Sequence, residues 1–220
     1  MDNITIVAKE YLEKYSVGDV INSKAVFLFI LESPHTQEMK YGYPVAGSSG
    51  VEMTKFIYGS DKMEAFGKIV SQPQKYSDEY GDLNKFSVLN VSSAPMQKGG
   101  LKAYDITNLE GKVVNILEKL RVNYGSKSHR KQEWNQVKEV ILSDFKQRLI
   151  SSLELMENVE YLVPCGKLAA SYLKLIQDSN KIIDDKDVIW DIPHPSFNQW
   201  SHYESMDKLK KKLINKIGDR

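Results

Sequence analysis

Three stretches of this chain place polar side chains directly after apolar runs: Glu32-Ser33-Pro34-His35, Asn90 in the stretch that closes at Pro95, and His194-Pro195-Ser196. A carboxylate, an amide and an imidazole brought together can act on a polar bond. The carboxylate orients water or stabilises a developing cation, and the imidazole donates a hydrogen bond to a developing anion. The amide of Asn90 offers both a donor and an acceptor and can read the edge of a planar ligand. Each residue also has an ordinary structural reading: Glu32 as a helix cap or surface charge, Asn90 as a turn residue, His194 as the cap of a strand end. Spacing alone leaves both readings open.

The elements that position these residues follow from the apolar pattern. Runs at 25–31, 86–91, 159–164 and 188–192 are rich in branched and aromatic residues and read as buried strands. Helical spacing opens near Ser49 and recurs over 109–122, 166–177 and 203–217. Strands alternating with helices predict an α/β three-layer sandwich, with a central, mostly parallel four-stranded sheet flanked by helices. Ligands of such sheets bind at the carboxyl ends of the strands, where the polar stretches fall. Ser49 and Glu52 have capping-box spacing, and the helix N-terminus they open has free amides that can hold a phosphate or line a pocket.

Composition sets the outer bounds. The 220 residues, 41% of them hydrophobic, suffice for one core, so a single domain over 1–220 is expected. The 30 basic and 29 acidic side chains give a net charge of +1, so affinity for nucleic acid has to come from local patches. One such patch is a basic helical insertion expected around 121–148, which includes Arg130 and Lys131 and interleaves Tyr124, Trp134 and Phe145. It reads either as a loop that follows a phosphate backbone or as a solvated helix with its aromatic residues toward the core. The lone cysteine, Cys165, excludes an intrachain disulfide and any site in which this chain supplies several thiolates to a metal or cluster. Residues 1–24 lack a continuous apolar stretch, so neither a secretory signal nor a membrane anchor is expected, and the cytoplasm is the default location.

The order of the motifs resembles that of the uracil-DNA glycosylase superfamily. FILESPHTQEMKYGYPVAGSSG resembles its G-E-x-P-G and G-R-P-F-V-G-x-x-G motifs, matching at Glu32, Pro34, Gly42, Pro44, Gly47 and Gly50. FSVLNVSSAP resembles the family's Y-I-T-N-V-V-K-C-x-P strand and places Asn90, while IPHPSF resembles its H-P-S motif and places His194. LVPCGKLAASYL is similar to the strand, glycine and helix that precede that motif. Leu31 and His35 replace two of the glycines, and Val45 stands where the family stacks an aromatic ring on the flipped base.

The resemblance implies a monofunctional DNA glycosylase, a monomer that flips a uracil or other modified base and hydrolyses its N-glycosidic bond without cofactor or metal. It implies that His194 stabilises the departing base, Asn90 reads its edge and Glu32 serves the sugar or water. Val45, Gly47, His35 and Ser49 would line the pocket, and Ser196 would bind a phosphate. Phe197 or Trp200 would enter the duplex, although a core role is open for either. No lysine lies in the motifs, so no lyase step is expected. Val45 widens the pocket and brings in a bulky hypermodified base of foreign DNA as a rival substrate. A noncatalytic nucleic-acid-binding module of the same fold is another alternative. An unrelated α/β enzyme acting on a phosphate ester is a third, without a P-loop or G-x-G-x-x-G stretch in its favour.

Overall fold

The run FLFIL has no polar side chain to give to water, so a strand made of it needs cover on both faces. It forms β1 (Phe27–Leu31), buried along its whole length. The computed structural model describes residues 4–177, 181–196, 200 and 203–218. Before β1 lies α1 (Ile4–Lys14), and after it come α2 (Thr36–Tyr41), α3 (Ser48–Tyr58), α4 (Phe66–Ser71) and α5 (Pro73–Tyr76). Next are β2 (Phe86–Asn90), α6 (Asn108–Val122), α7 (Gln132–Leu155) and β3 (Tyr161–Pro164). The chain continues through α8 (Lys167–Gln177), α9 (Lys181–Asp184), β4 (Asp187–Val188) and α10 (Ser205–Ile217).

All four strands are parallel, in the order β2-β1-β3-β4. Alternation of side chains sorts β1 between two cores. Leu28 and Ile30 pack with α1, α6, α7 and α8, whereas Phe27, Phe29 and Leu31 pack with α3, α4 and α10. The expected three-layer α/β architecture is therefore present. On the second face Phe27 is stacked against Phe86 at 5.8 Å and against Tyr161 at 5.0 Å, its register partners on either side.

Two elements differ from the sequence expectation. The fourth strand pairs regularly only at Asp187 and Val188; the chain then turns through Asp191, at φ 65°, and rejoins the sheet where Ile192 bridges Cys165. The segment 121–148, expected as a basic helical insertion, is helical from Gln132 and built into the main core. Its second half is the first part of α7, whose Val137, Ile141, Phe145 and Leu149 recur at helical spacing and belong to the main core. Its basic residues divide accordingly: Lys138 is buried and donates to the Ser126 carbonyl, while Arg130 and Lys131 remain exposed.

The strand order fixes where a ligand can enter. From β1 the chain passes to β2 on one side, then crosses back to β3 on the other, leaving a crevice at the carboxyl end of the sheet.

Candidate functional site

A cavity of about 460 Å³ opens at this end. Glu32 reaches it from the end of β1, Asn90 from the end of β2, Arg121 from the last turn of α6, and His194 from just past the Ile192 bridge. His35, Gly47, Ser49, Ser196 and Val45 also line it. A larger groove of about 790 Å³ runs between α1 and α7, but it gathers no comparable set of groups.

The β1–β2 pairing continues one step past the strands, with Val91 N–H donating to the Leu31 carbonyl at 2.9 Å and Ser92 N–H to that of Glu32 at 3.0 Å. This holds the Glu32 backbone against the sheet. Its carboxylate pairs with Arg121, whose Nε donates to Oε1. His194 Nδ1 stands 3.0 Å from Ser196 Oγ. When the serine donates, the imidazole proton resides on Nε2. Burial lowers the pKa of His194 below the usual histidine value; the Glu32 charge opposes this and the Arg121 charge adds to it. The ring is therefore predominantly neutral at pH 7.

Glu38 also lines the cavity, although sequence reasoning does not single it out. Its Oε2 accepts from His35 N–H at 2.8 Å, and its Oε1 accepts from Val45 N–H at 2.7 Å. The first bond closes the N-terminus of α2; the second holds Val45, a β-branched residue, in the left-handed region at φ 47°. The Asn90 amide, which lines the same cavity, also favours the charged carboxylate. Burial pushes the Glu38 carboxyl up to about 7, the Glu32 charge adds to the rise, and the two N–H donors and the Asn90 amide oppose it.

The turn carrying Val45 rests on bare backbone. A Cβ on Gly50 would lie 1.8 Å from the Val45 oxygen, and one on Gly67 1.8 Å from the Pro44 oxygen. Neither carbonyl can retreat without moving the cavity wall. Gly67→Ala is expected to cost about 2–3 kcal/mol, read as a lowered urea midpoint at unchanged slope.

Asn90 is held from behind. Arg148 donates through Nη2 to the carbonyls of Asn90 and Val91, both at 2.9 Å, and through Nη1 to Asp19 at 2.9 and 3.0 Å. Its Nε binds Asp144 at 2.8 Å. Asp19 in turn accepts from Asn90 N–H at 3.4 Å.

No family model and no curated protein matches this chain. What the site does therefore rests on its own geometry and on the motif resemblance.

Several expected site residues have other places. Trp200 cannot enter a duplex: it is 1% exposed, donates from Nε1 to the Pro193 carbonyl at 2.8 Å, and packs on Phe29 and Phe56. Phe197 lies outside the described residues. Ser49 lines the cavity but caps nothing; Gly47 is the N-cap of α3, without a side-chain bond, and Glu52 faces Lys55 at 3.8 Å. Gly47 makes only ordinary contacts, since a Cβ there would meet Gln37 at 3.4 Å. Arg130 and Lys131 do not line the cavity; Lys131 sits over the Trp134 ring at 5.7 Å. Among the described residues no three His, Cys, Asp or Glu side chains are grouped to hold a metal, and no helix is long and apolar enough to cross a membrane.

Proposed function

We propose that this chain is a monofunctional DNA glycosylase, acting as a monomer on a base flipped out of DNA. One observation carries the reading: Glu32 and Asn90, from two strand ends, and His194, from just past the Ile192 bridge, meet in one cavity large enough for a nucleobase and part of its sugar. Water adds to the anomeric carbon, the C–N bond breaks, and its electron pair leaves with the base. Glu32 orients the water or stabilises the cationic sugar, held by Arg121 Nε at one oxygen. His194 donates from Nε2 to the base as negative charge develops. A proton from the added water passes to the carboxylate or to solvent, and an abasic site remains.

Uracil is the default base by resemblance to the superfamily. A bulkier modified base is favoured by Val45, which leaves room where a ring would stack. Exposed Arg130 and Lys131 can meet DNA phosphates beyond the cavity.

The test is base release from oligonucleotides carrying uracil, hypoxanthine and modified cytosines, with Glu32→Ala beside the wild type. At least one base is expected to be released, about 100-fold more slowly by the variant. Release that Glu32→Ala leaves unchanged would remove the carboxylate from the mechanism, and no release from any substrate would defeat the glycosylase reading.

A further inference from the structure

The two internal arginines of this chain are used differently. Arg148 engages every guanidinium nitrogen, on Asp19, Asp144 and the carbonyls of Asn90 and Val91. Arg121 engages only Nε, on Glu32 Oε1; among the described residues Nη1 and Nη2 have no hydrogen-bond partner, and the side chain is 38% exposed where it lines the cavity. A guanidinium fixed at Nε presents its two terminal groups as a fork, the geometry that matches two oxygens of a phosphate. The cavity also requires a cation of this kind. Glu32 and Glu38 both line it and repel an anion, burial favours neutral His194, and Arg121 is the one arginine or lysine among the described lining residues.

We infer that Arg121 is a phosphate clamp: Nη1 and Nη2 bind a phosphodiester that flanks the flipped nucleotide, while Nε keeps hold of Glu32. The inference rests on the glycosylase reading in placing a nucleotide of DNA in the cavity. Two further observations fit that ligand. Asn90 is 1% exposed and its Oδ1 is buried without a partner, an acceptor that calls for a donor from outside the protein. A nucleotide brings a base N–H donor together with an anion, whereas a free phosphate ion brings the anion alone. Beyond Arg121 the chain runs into the loop between α6 and α7, where Lys127, Arg130 and Lys131 are exposed. That loop is held from within: buried Lys138 donates to the Ser126 carbonyl, and the Asn135 amide pairs with the His129 N–H and carbonyl, both at 2.7 Å. A loop fixed in this way loses little freedom on meeting the next phosphates of a strand. Arg121 thus joins the polar end of the cavity to a basic surface, and it ties the carboxylate of the reaction to the backbone of the substrate.

The experiment measures Kd for duplexes carrying a tetrahydrofuran abasic site, a probe that does not depend on which base is excised. One duplex has phosphates throughout; two others have a neutral methylphosphonate on the 5′ or the 3′ side of the site. The wild type is expected to bind the all-phosphate duplex at least about tenfold more tightly than one of the methylphosphonate duplexes, the worth of a charge-assisted hydrogen bond. In Arg121→Met that ratio is expected to fall to about one or below, since the two carboxylates then face the phosphate without a cation. Arg121→Gln, which can still donate to Glu32, replaces Arg121→Met should the latter fail to fold. Equal wild-type affinity for the three duplexes overturns the inference. So does a variant that binds all three more weakly but keeps the wild-type ratio, the signature of a purely structural arginine. Base release by the wild type is scored beside these values. Release without the phosphate preference overturns the clamp and leaves the glycosylase reading standing; the preference without release of any base supports the clamp and defeats the glycosylase reading.

Discussion

His194→Ala is expected to slow base release about 10²–10³-fold in single-turnover kinetics while leaving the Kd for DNA within about threefold of the wild type. The size of the effect follows from where the charge develops. The departing base carries the electron pair of the broken bond, and a neutral imidazole in a cavity shielded from water stabilises that charge more than water does. Burial keeps His194 neutral at pH 7, and Ser196 Oγ at 3.0 Å from Nδ1 can fix the proton on Nε2. His194→Gln, which retains an N–H donor, should recover part of the rate. A His194→Ala enzyme as fast as the wild type would remove the imidazole from the chemistry.

Arg148→Ala is expected to lower the free energy of unfolding by about 3 kcal/mol, the low end for breaking a buried pair because 20% of the arginine side chain remains at the surface. Removal of the guanidinium leaves Asp19, whose pKa burial already raises, without its cation, and leaves the Asn90 and Val91 carbonyls without their donor. A lysine cannot reproduce the fork, so Arg148→Lys should recover little. Arg148→Met combined with Asp19→Asn should be more stable than Arg148→Met alone, because no unpaired charge is then buried. Urea denaturation of the set measures each step, and an unchanged midpoint for Arg148→Ala would show the pair to be dispensable. Because Arg148 holds the Asn90 backbone, base release should fall along with stability.

The strand ends were the most legible part of the site. A polar residue directly after a run such as FLFIL can only stand at the carboxyl edge of a parallel sheet, so Glu32 and Asn90 could be placed from spacing. Glu38 was harder to see, since three residues after His35 it looks like an ordinary helix-capping carboxylate, which it also is. Its second oxygen serves Val45, across a turn that local pattern does not encode. Arg148 was grouped with the surface charges of a basic segment because sequence shows charge and not burial; the helical recurrence of Val137, Ile141, Phe145 and Leu149 was the available signal that this stretch faces a core. Trp200 looked like a candidate for duplex insertion because it follows His194-Pro195-Ser196, but its indole N–H had a buried carbonyl to satisfy and its ring an aromatic cluster to join. The fourth strand fell short where Asp191 takes a left-handed backbone, a conformation that no apolar count can reveal.

The position of β1 bears on how the molecule is made. It precedes the other described strands in the chain, yet both of its edges are filled by segments from far down the sequence, Phe86–Asn90 on one side and Tyr161–Pro164 on the other. Until β3 has been synthesised, FLFIL has an unpaired apolar edge, and the loop-closure entropy for both partnerships must be met before either face is covered. Such a topology folds late and slowly, with a nascent chain that is sticky for much of its synthesis. The strand that delivers Glu32 to the cavity is thus covered only once both of its distant partners are in place.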